Sequence, residues 1–336
     1  MSSSDNSSDN NNDDLSADSE VSIPRSIRFW IMLLFNIPSI ICSFCVISHI
    51  ILNRTHRYGL HNHATLLILI MALPIQLMDI NFYLVFYHYG SILPLKPIMC
   101  LFWWFADYGC YNGCIILMAW LAIERHILIF HDRRLSNRRG RFLFHYLPSI
   151  SIVTYILLYY IMCIFFVPCE NTYIYTLPVC GTSPCYQSDG ALGLWDFIIN
   201  TTTPTILESI VSIGLVLRVQ WQKRRLRQSN QWRKQRRMII QLFLVSGLNL
   251  GLNLPLFILL FAHFCGLPSE YGAQPQLYFF FFGYFVFFLF PFASLCQFPD
   301  LRKKITRKIV YILPKQQHHT ATIVPTTRAT PMNKST

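Results

Sequence analysis

Four acidic side chains, Asp79, Asp107, Asp196 and Glu208, stand inside long apolar runs of this chain, and a Glu124-Arg125-His126 triplet closes one of those runs. An ionisable group in apolar surroundings is expensive, so each is a candidate for function. Asp107 is the most suggestive, because Trp103, Trp104, Tyr108 and Tyr111 are close to it in sequence. A carboxylate in a low-dielectric cup walled by aromatic rings selects a cation. The plainer role for Asp107 is a hydrogen bond that packs one helix on another. Glu124 and Arg125 can hold each other in one state and release the guanidinium in another. The plainer role for Arg125 is snorkelling to lipid headgroups. Enzyme chemistry finds no support: no phosphate loop, nucleophile elbow or paired cysteine spacing for a metal is present, so no metal or cofactor is expected.

The elements that must position these groups are membrane helices. The 336 residues are 53% hydrophobic and 13% charged, against about 25% charged in ordinary soluble domains. Apolar segments run over about 27–52, 62–88, 98–130, 144–167, 191–220, 236–263 and 276–298. Each exceeds the roughly 20 residues that cross a hydrocarbon core. The stretch Tyr278 to Phe292 is apolar on every face, which no amphipathic helix of a soluble protein tolerates. Pro38, Pro74, Pro148, Pro204, Pro255 and Pro291 lie inside six segments, where membrane bundles accept them as kinks. Residues 1–26 read as a disordered polar tail with a glycosylation sequon at Asn6, 27–298 as a seven-helix bundle, and 299–336 as an amphipathic helix and tail. The absence of an internal repeat weighs against inverted-repeat transporters.

Seven crossings place the termini on opposite sides. Arg and Lys crowd the segments after spans one, three, five and seven, whereas the opposite loops hold Lys96 alone. By the positive-inside rule the basic loops are cytoplasmic and the N-terminus extracellular. Arg25 and Arg28 oppose this locally and are outweighed by the acidic tail and the later loops. The net charge of +12 is spread over these short runs, so a nucleic-acid-binding face is not expected. Cys42, Cys45, Cys110, Cys114, Cys163 and Cys296 read as small core residues, whereas Cys100, Cys169, Cys180, Cys185 and Cys265 fall at or near loops on one side. Cys100 and Arg125 are twenty-five residues apart, about 37 Å of helix, so they mark opposite ends of the third span.

These features together resemble the rhodopsin-like (class A) G-protein-coupled receptors over about residues 27 to 310. Glu124-Arg125-His126 is similar to the family's Asp/Glu-Arg-Tyr motif, with His126 in the Tyr place. Cys100 is similar to the cysteine that bonds the second extracellular loop, which implies Cys180 as partner with Cys185 the alternative. Pro204, Pro255 and Pro291 match the kink prolines of spans five, six and seven, and Phe298 to Lys308 resembles the helix along the inner leaflet. The resemblance implies a plasma-membrane receptor that binds an extracellular peptide or biogenic amine and activates a heterotrimeric G protein through Arg125 and the basic third intracellular loop. It implies Asp107 and Tyr284 as the pair that meets an amine; by their own positions Trp103 and Tyr111, on the same helix as Asp107, are expected as walls, and Asp196, near the outer end of span five, as facing the pocket.

The sequence also departs from that pattern. Asn253 stands in the place of the sixth-span Trp, Phe290 and Ser294 replace the Asn and Tyr of the seventh-span motif, and Ala72 replaces the second-span Asp. Gln235 takes the place of a Glu that pairs with the third-span Arg in some members, so that lock is expected to be neutral or absent. A receptor-like protein that does not signal, or a transporter, is the alternative.

Overall fold

The computed structural model describes residues 21–130, 137–181, 183–225, 229–268 and 270–312. Among these it is all-helical. The helices are α1 (Arg25–Leu52), α2 (Leu60–Tyr89), α3 (Pro97–Phe130), α4 (Arg138–Phe166), α5 (190–225), α6 (Ser229–Phe264), α7 (Ala273–Leu295) and α8 (Pro299–Ile312). The tail that carries Asn6, most of the third-loop basic run and the C-terminal segment lie outside the described residues or side chains.

Six of these helices, α1, α2, α3, α4, the Phe243–Phe264 part of α6, and α7, are long and apolar enough to cross a membrane. The expected fifth span is helical along its whole length but is not among them. Asp196, Asn200, Thr201, Thr202, Glu208, Ser209 and Ser212 make it the most polar of the bundle helices. Most of these side chains are buried against α3, α4 and α6, so the polarity faces protein.

The helices pack as a ring in which α1 meets α2 and α7, α2 meets α3, α3 meets α5, and α6 sits between α5 and α7. The fourth helix packs mainly on α3 from outside. Small residues let the backbones approach there: a Cβ on Gly113 would stand 2.9 Å from Ile156 Cγ2 and 3.1 Å from Met71 Cε. A buried polar cluster ties α1, α2 and α7 near mid-length. Gln76 donates to Ser39 Oγ at 3.0 Å and to the Phe287 carbonyl at 3.1 Å, and accepts from Ser43 at 3.1 Å. Satisfied polar groups of this kind bind helices where lipid offers no partner.

Four helices contain a π-helical turn, at Ile75–Asp79, Phe105–Cys110, Phe142–Tyr146 with Met162–Phe166, and Asp196–Thr202. Three of these adjoin Pro74, Pro148 or Pro204, whose missing N–H and ring clash loosen the i→i+4 ladder. Three of them also carry the buried acids Asp79, Asp107 and Asp196.

Arg25 and Arg28, which opposed the charge rule, are accounted for by contacts. The Arg28 guanidinium lies 4.6 Å from the Tyr87 ring and that of Arg25 5.2 Å from the Phe86 ring. Both guanidinium groups thus lie against aromatic rings of α2.

Candidate functional site

The helix α3 carries a distinct arrangement at each end. At one end Cys100 bonds Cys180, with Cα atoms 5.9 Å apart, and Cys169 bonds Cys185 at the same Cα separation. The geometry therefore selects Cys180 for Cys100, leaves Cys185 to the second bridge and leaves Cys265 free. The Cys100–Cys180 bridge ties the segment that follows α4 to α3, and the Cys169–Cys185 bridge closes that segment on itself. The Trp104 indole donates to the Val179 carbonyl at 2.9 Å and stacks on Tyr173, and Ile92 N–H donates to the Tyr175 carbonyl at 3.0 Å. Val179 and Cys180 take left-handed backbone angles, φ 52° and 60°, which cost a β-branched residue most. Disulfide and indole together hold that strained turn.

Beneath this lid lies a cavity of about 500 Å³ between α3, α5, α6 and α7. Its polar lining includes Asp107, Tyr108, Tyr111, Asn112, Asp196 and Gln276, and its apolar wall is Leu256, Phe257, Leu260 and Phe280. A mostly apolar concavity with a few convergent polar groups suits a small organic ligand or the tip of a peptide.

The five residues expected around a ligand divide into two groups. Asp107, Tyr111 and Asp196 line the cavity. Trp103 and Tyr284 stand behind it. The Trp103 indole is wholly buried and donates to Asp79 Oδ1 at 2.8 Å, so it is no cavity wall. The Tyr284 hydroxyl donates to Asp107 Oδ1 at 2.6 Å and thereby aims the carboxylate.

The two cavity acids differ in what they have left to offer. Asp196 accepts from Tyr160 at 2.6 Å, Tyr186 at 2.9 Å, Asn200 at 3.0 Å and Gln187 at 3.3 Å. Four donors satisfy both of its oxygens and join α4, α5 and the lid. Asp107 receives one side-chain donor and keeps acceptor capacity toward the cavity. The sequence already favours Asp107, and the hydrogen bonds give the physical reason.

Below the cavity a chain of polar side chains crosses from α3 to α5. Tyr111 donates to Asn253 Oδ1 at 2.9 Å, Asn253 donates to Asn249 Oδ1 at 2.5 Å, and Asn249 donates to Glu208. Asn253, the residue in the place of an expected Trp, is thus the α6 member of a polar relay. Gly283 makes room for it, since a Cβ there would stand 2.7 Å from the Tyr111 hydroxyl and 2.8 Å from Asn253 Oδ1.

At the other end of α3, Glu124 and Arg125 do not hold each other. Consecutive helical side chains diverge by about 100°, so the two point at different neighbours. Glu124 Oε1 stands 3.1 Å from His145 Nδ1 of α4, and His145 in turn meets His63 of α2 at 2.8 Å. Arg125 is 1% exposed and donates to the His61 carbonyl at 2.8 Å and to Thr65 Oγ1 and Gln241 Oε1 at 3.3 Å. Gln241 donates onward to Ser294 at 3.2 Å, and Ser294 donates to the Phe290 carbonyl at 2.9 Å. The neutral lock expected from Gln235 is thus supplied by Gln241, and the Gln235 side chain lies outside those described. His126 accepts from Arg218 of α5 at 3.0 Å.

Sequence reasoning missed His145, His63 and Gln241. Their signal is weak: polar residues in apolar helices at the depth of Arg125, on helices whose rotation the sequence does not state. Comparison with protein-family models finds no match, and comparison with curated proteins finds none.

Proposed function

We propose that this chain is a rhodopsin-like receptor of the plasma membrane that responds to an extracellular peptide or amine carrying a cationic group and activates a heterotrimeric G protein. The observation that carries the reading is the pairing of two sites on α3. One end presents an available carboxylate to a lidded cavity, and the other buries an arginine beneath a clamp from α6 and α7. A ligand that binds one bundle state better than the other shifts the population toward it. The state described here holds Arg125 through Gln241 of α6 and through His61 and Thr65 of α2, so an outward movement of α6 would break the Gln241 contact and open that side of the guanidinium to a partner.

In this reading the Cys100–Cys180 end is extracellular, the more polar α5 is the fifth of seven spans, and α8 lies along the inner leaflet among anionic lipids. The loop charges support that orientation. Asp107 meets the ligand's ammonium or guanidinium group, and the aromatic and apolar wall takes its body. The basic third loop faces the acidic or amphipathic partner surface.

The test is agonist-dependent nucleotide exchange in cells that display equal surface amounts of wild type and Arg125→Ala, with amines and basic peptides as the screened agonists. Loss of signalling with surface expression retained is the expected result. An Arg125→Ala protein that signals as wild type does would remove the assigned role.

A further inference from the structure

The polar groups that line the cavity are biased toward accepting hydrogen bonds. The Tyr111 hydroxyl has one proton and spends it on Asn253 Oδ1 at 2.9 Å, so toward the cavity its oxygen can only accept. The relay below fixes that direction. The Glu208 carboxylate accepts from Asn249, which turns Asn249 Oδ1 to the Asn253 amide and leaves Asn253 Oδ1 for Tyr111. Thr201 spends its proton on the Asp196 carbonyl at 3.2 Å and is left in the same state as Tyr111. Asp107 is an acceptor by nature, and its one side-chain donor, Tyr284, stands behind the cavity. Asn112 and Gln187 each give an amide N–H to the protein, at 2.8 Å to Tyr160 and at 3.3 Å to Asp196.

An accepting surface asks for donors, and donor count separates cations of equal charge. A guanidinium carries five N–H donors in a planar fork, a primary ammonium three and a quaternary ammonium none. A quaternary head would instead need a cage of aromatic faces. Most of that cage is turned elsewhere: the Trp103 indole serves Asp79, the Trp104 indole serves the Val179 carbonyl, and neither ring lines the cavity.

We propose that the cavity recognises a guanidinium group through Asp107, Tyr111 and Thr201. This sharpens the cationic-ligand reading above and rests on it. Asp107 and Tyr111 are offered by α3 and Thr201 by α5, so a fork whose N–H groups point in several directions meets acceptors on two walls at once. The apolar wall of Leu256, Phe257, Leu260 and Phe280 takes the carbon body beside it. A head with fewer donors leaves desolvated acceptors unpaired, and that penalty falls on binding.

Four probes with one phenylethyl body test this: the guanidine, the primary amine, the trimethyl quaternary amine and the neutral urea. Each is titrated to millimolar concentration onto the full-length protein in lipid nanodiscs, and binding is read as a saturable rise in melting temperature. The guanidine is expected to bind tightest, the primary amine roughly tenfold more weakly for each acceptor left unpaired, and the quaternary and urea forms weakest. Tyr111→Phe is expected to weaken the guanidine and to leave the quaternary form as it was. Should that variant fail to fold, Thr201→Val serves in its place, and the wild-type order decides without either. A primary or quaternary amine that binds as tightly as the guanidine would overturn the guanidinium assignment and leave the cationic-ligand reading standing. A urea that binds as tightly, or no binding by any of the cations, would overturn both.

Discussion

At the scale of the residue, the deciding property of each buried acid is how many donors it already has. Asp196 organises structure because four donors converge on it, whereas Asp107 keeps capacity for a ligand. Tyr160→Phe removes one donor to Asp196 and breaks its link to Asn112 of α3. It is expected to cost about 1–3 kcal/mol, read as a lower melting temperature of the purified protein, with ligand selectivity unchanged. Asp107→Asn keeps the shape and the Tyr284 partner but loses the charge. A desolvated charge contact is worth about 2–5 kcal/mol, so a cationic agonist should weaken by roughly 30-fold or more while a neutral one is unaffected. An equal response to a cationic agonist in both proteins would remove Asp107 from the ligand site. The sequence makes Asp107, Tyr111 and Tyr284 legible because intramembrane polar groups are rare. It hides the partner of Asp79, since a tryptophan reads equally well as a cavity wall and as a donor to a carboxylate.

At the scale of the element, the helices are legible and their local phase is not. Continuous apolar runs identify most helix ends to within a few residues, but α4 begins at Arg138 and α6 at Ser229, before their apolar parts, and α5 runs on to Arg225. The π turns leave no such trace. Seven residues from Cys100 to Asp107 equal two turns only if every turn is α, and the turn Phe105–Cys110 breaks that count. The polar relay beneath the cavity depends on a missing side chain. Gly283→Ala puts a methyl group against Tyr111 and Asn253 and should separate α3 from α6. Overpacking of this kind costs about 1–3 kcal/mol, so the variant should melt earlier, and Gly283→Ala combined with Tyr111→Phe should recover part of the loss.

At the scale of the whole molecule, each end of α3 is tied to other helices by its own hydrogen-bonded cluster, the relay through Asn253 and Asn249 near the cavity and the one through Gln241 and Ser294 at Arg125. Arg125 is held by a neutral amide, which binds a guanidinium less firmly than a carboxylate would. Gln241→Glu should strengthen that clamp and lower ligand-independent nucleotide exchange, whereas Gln241→Leu should raise it, both measured at matched surface expression. No difference between the two variants would show that the clamp does not set the resting state. The placing of Cys100 and Arg125 at opposite ends of α3 was legible from their spacing. The diverging partners of Glu124 and Arg125 were not, because they depend on helix rotation and on α4 and α6, which lie far off in sequence. The π turns have a consequence for how such a chain can change. A π turn accommodates one residue more than the α-helix it interrupts, as a slack stitch holds extra thread without moving the seam on either side. A one-residue deletion inside Phe105–Cys110 should therefore be absorbed locally, re-aiming Asp107 while Cys100 and Arg125 keep their places. The same deletion in the plain helix at Leu117 would turn one end against the other by about 100°. Lineages of this chain could thus retune what the cavity recognises by gaining or losing single codons, without disturbing the end that answers.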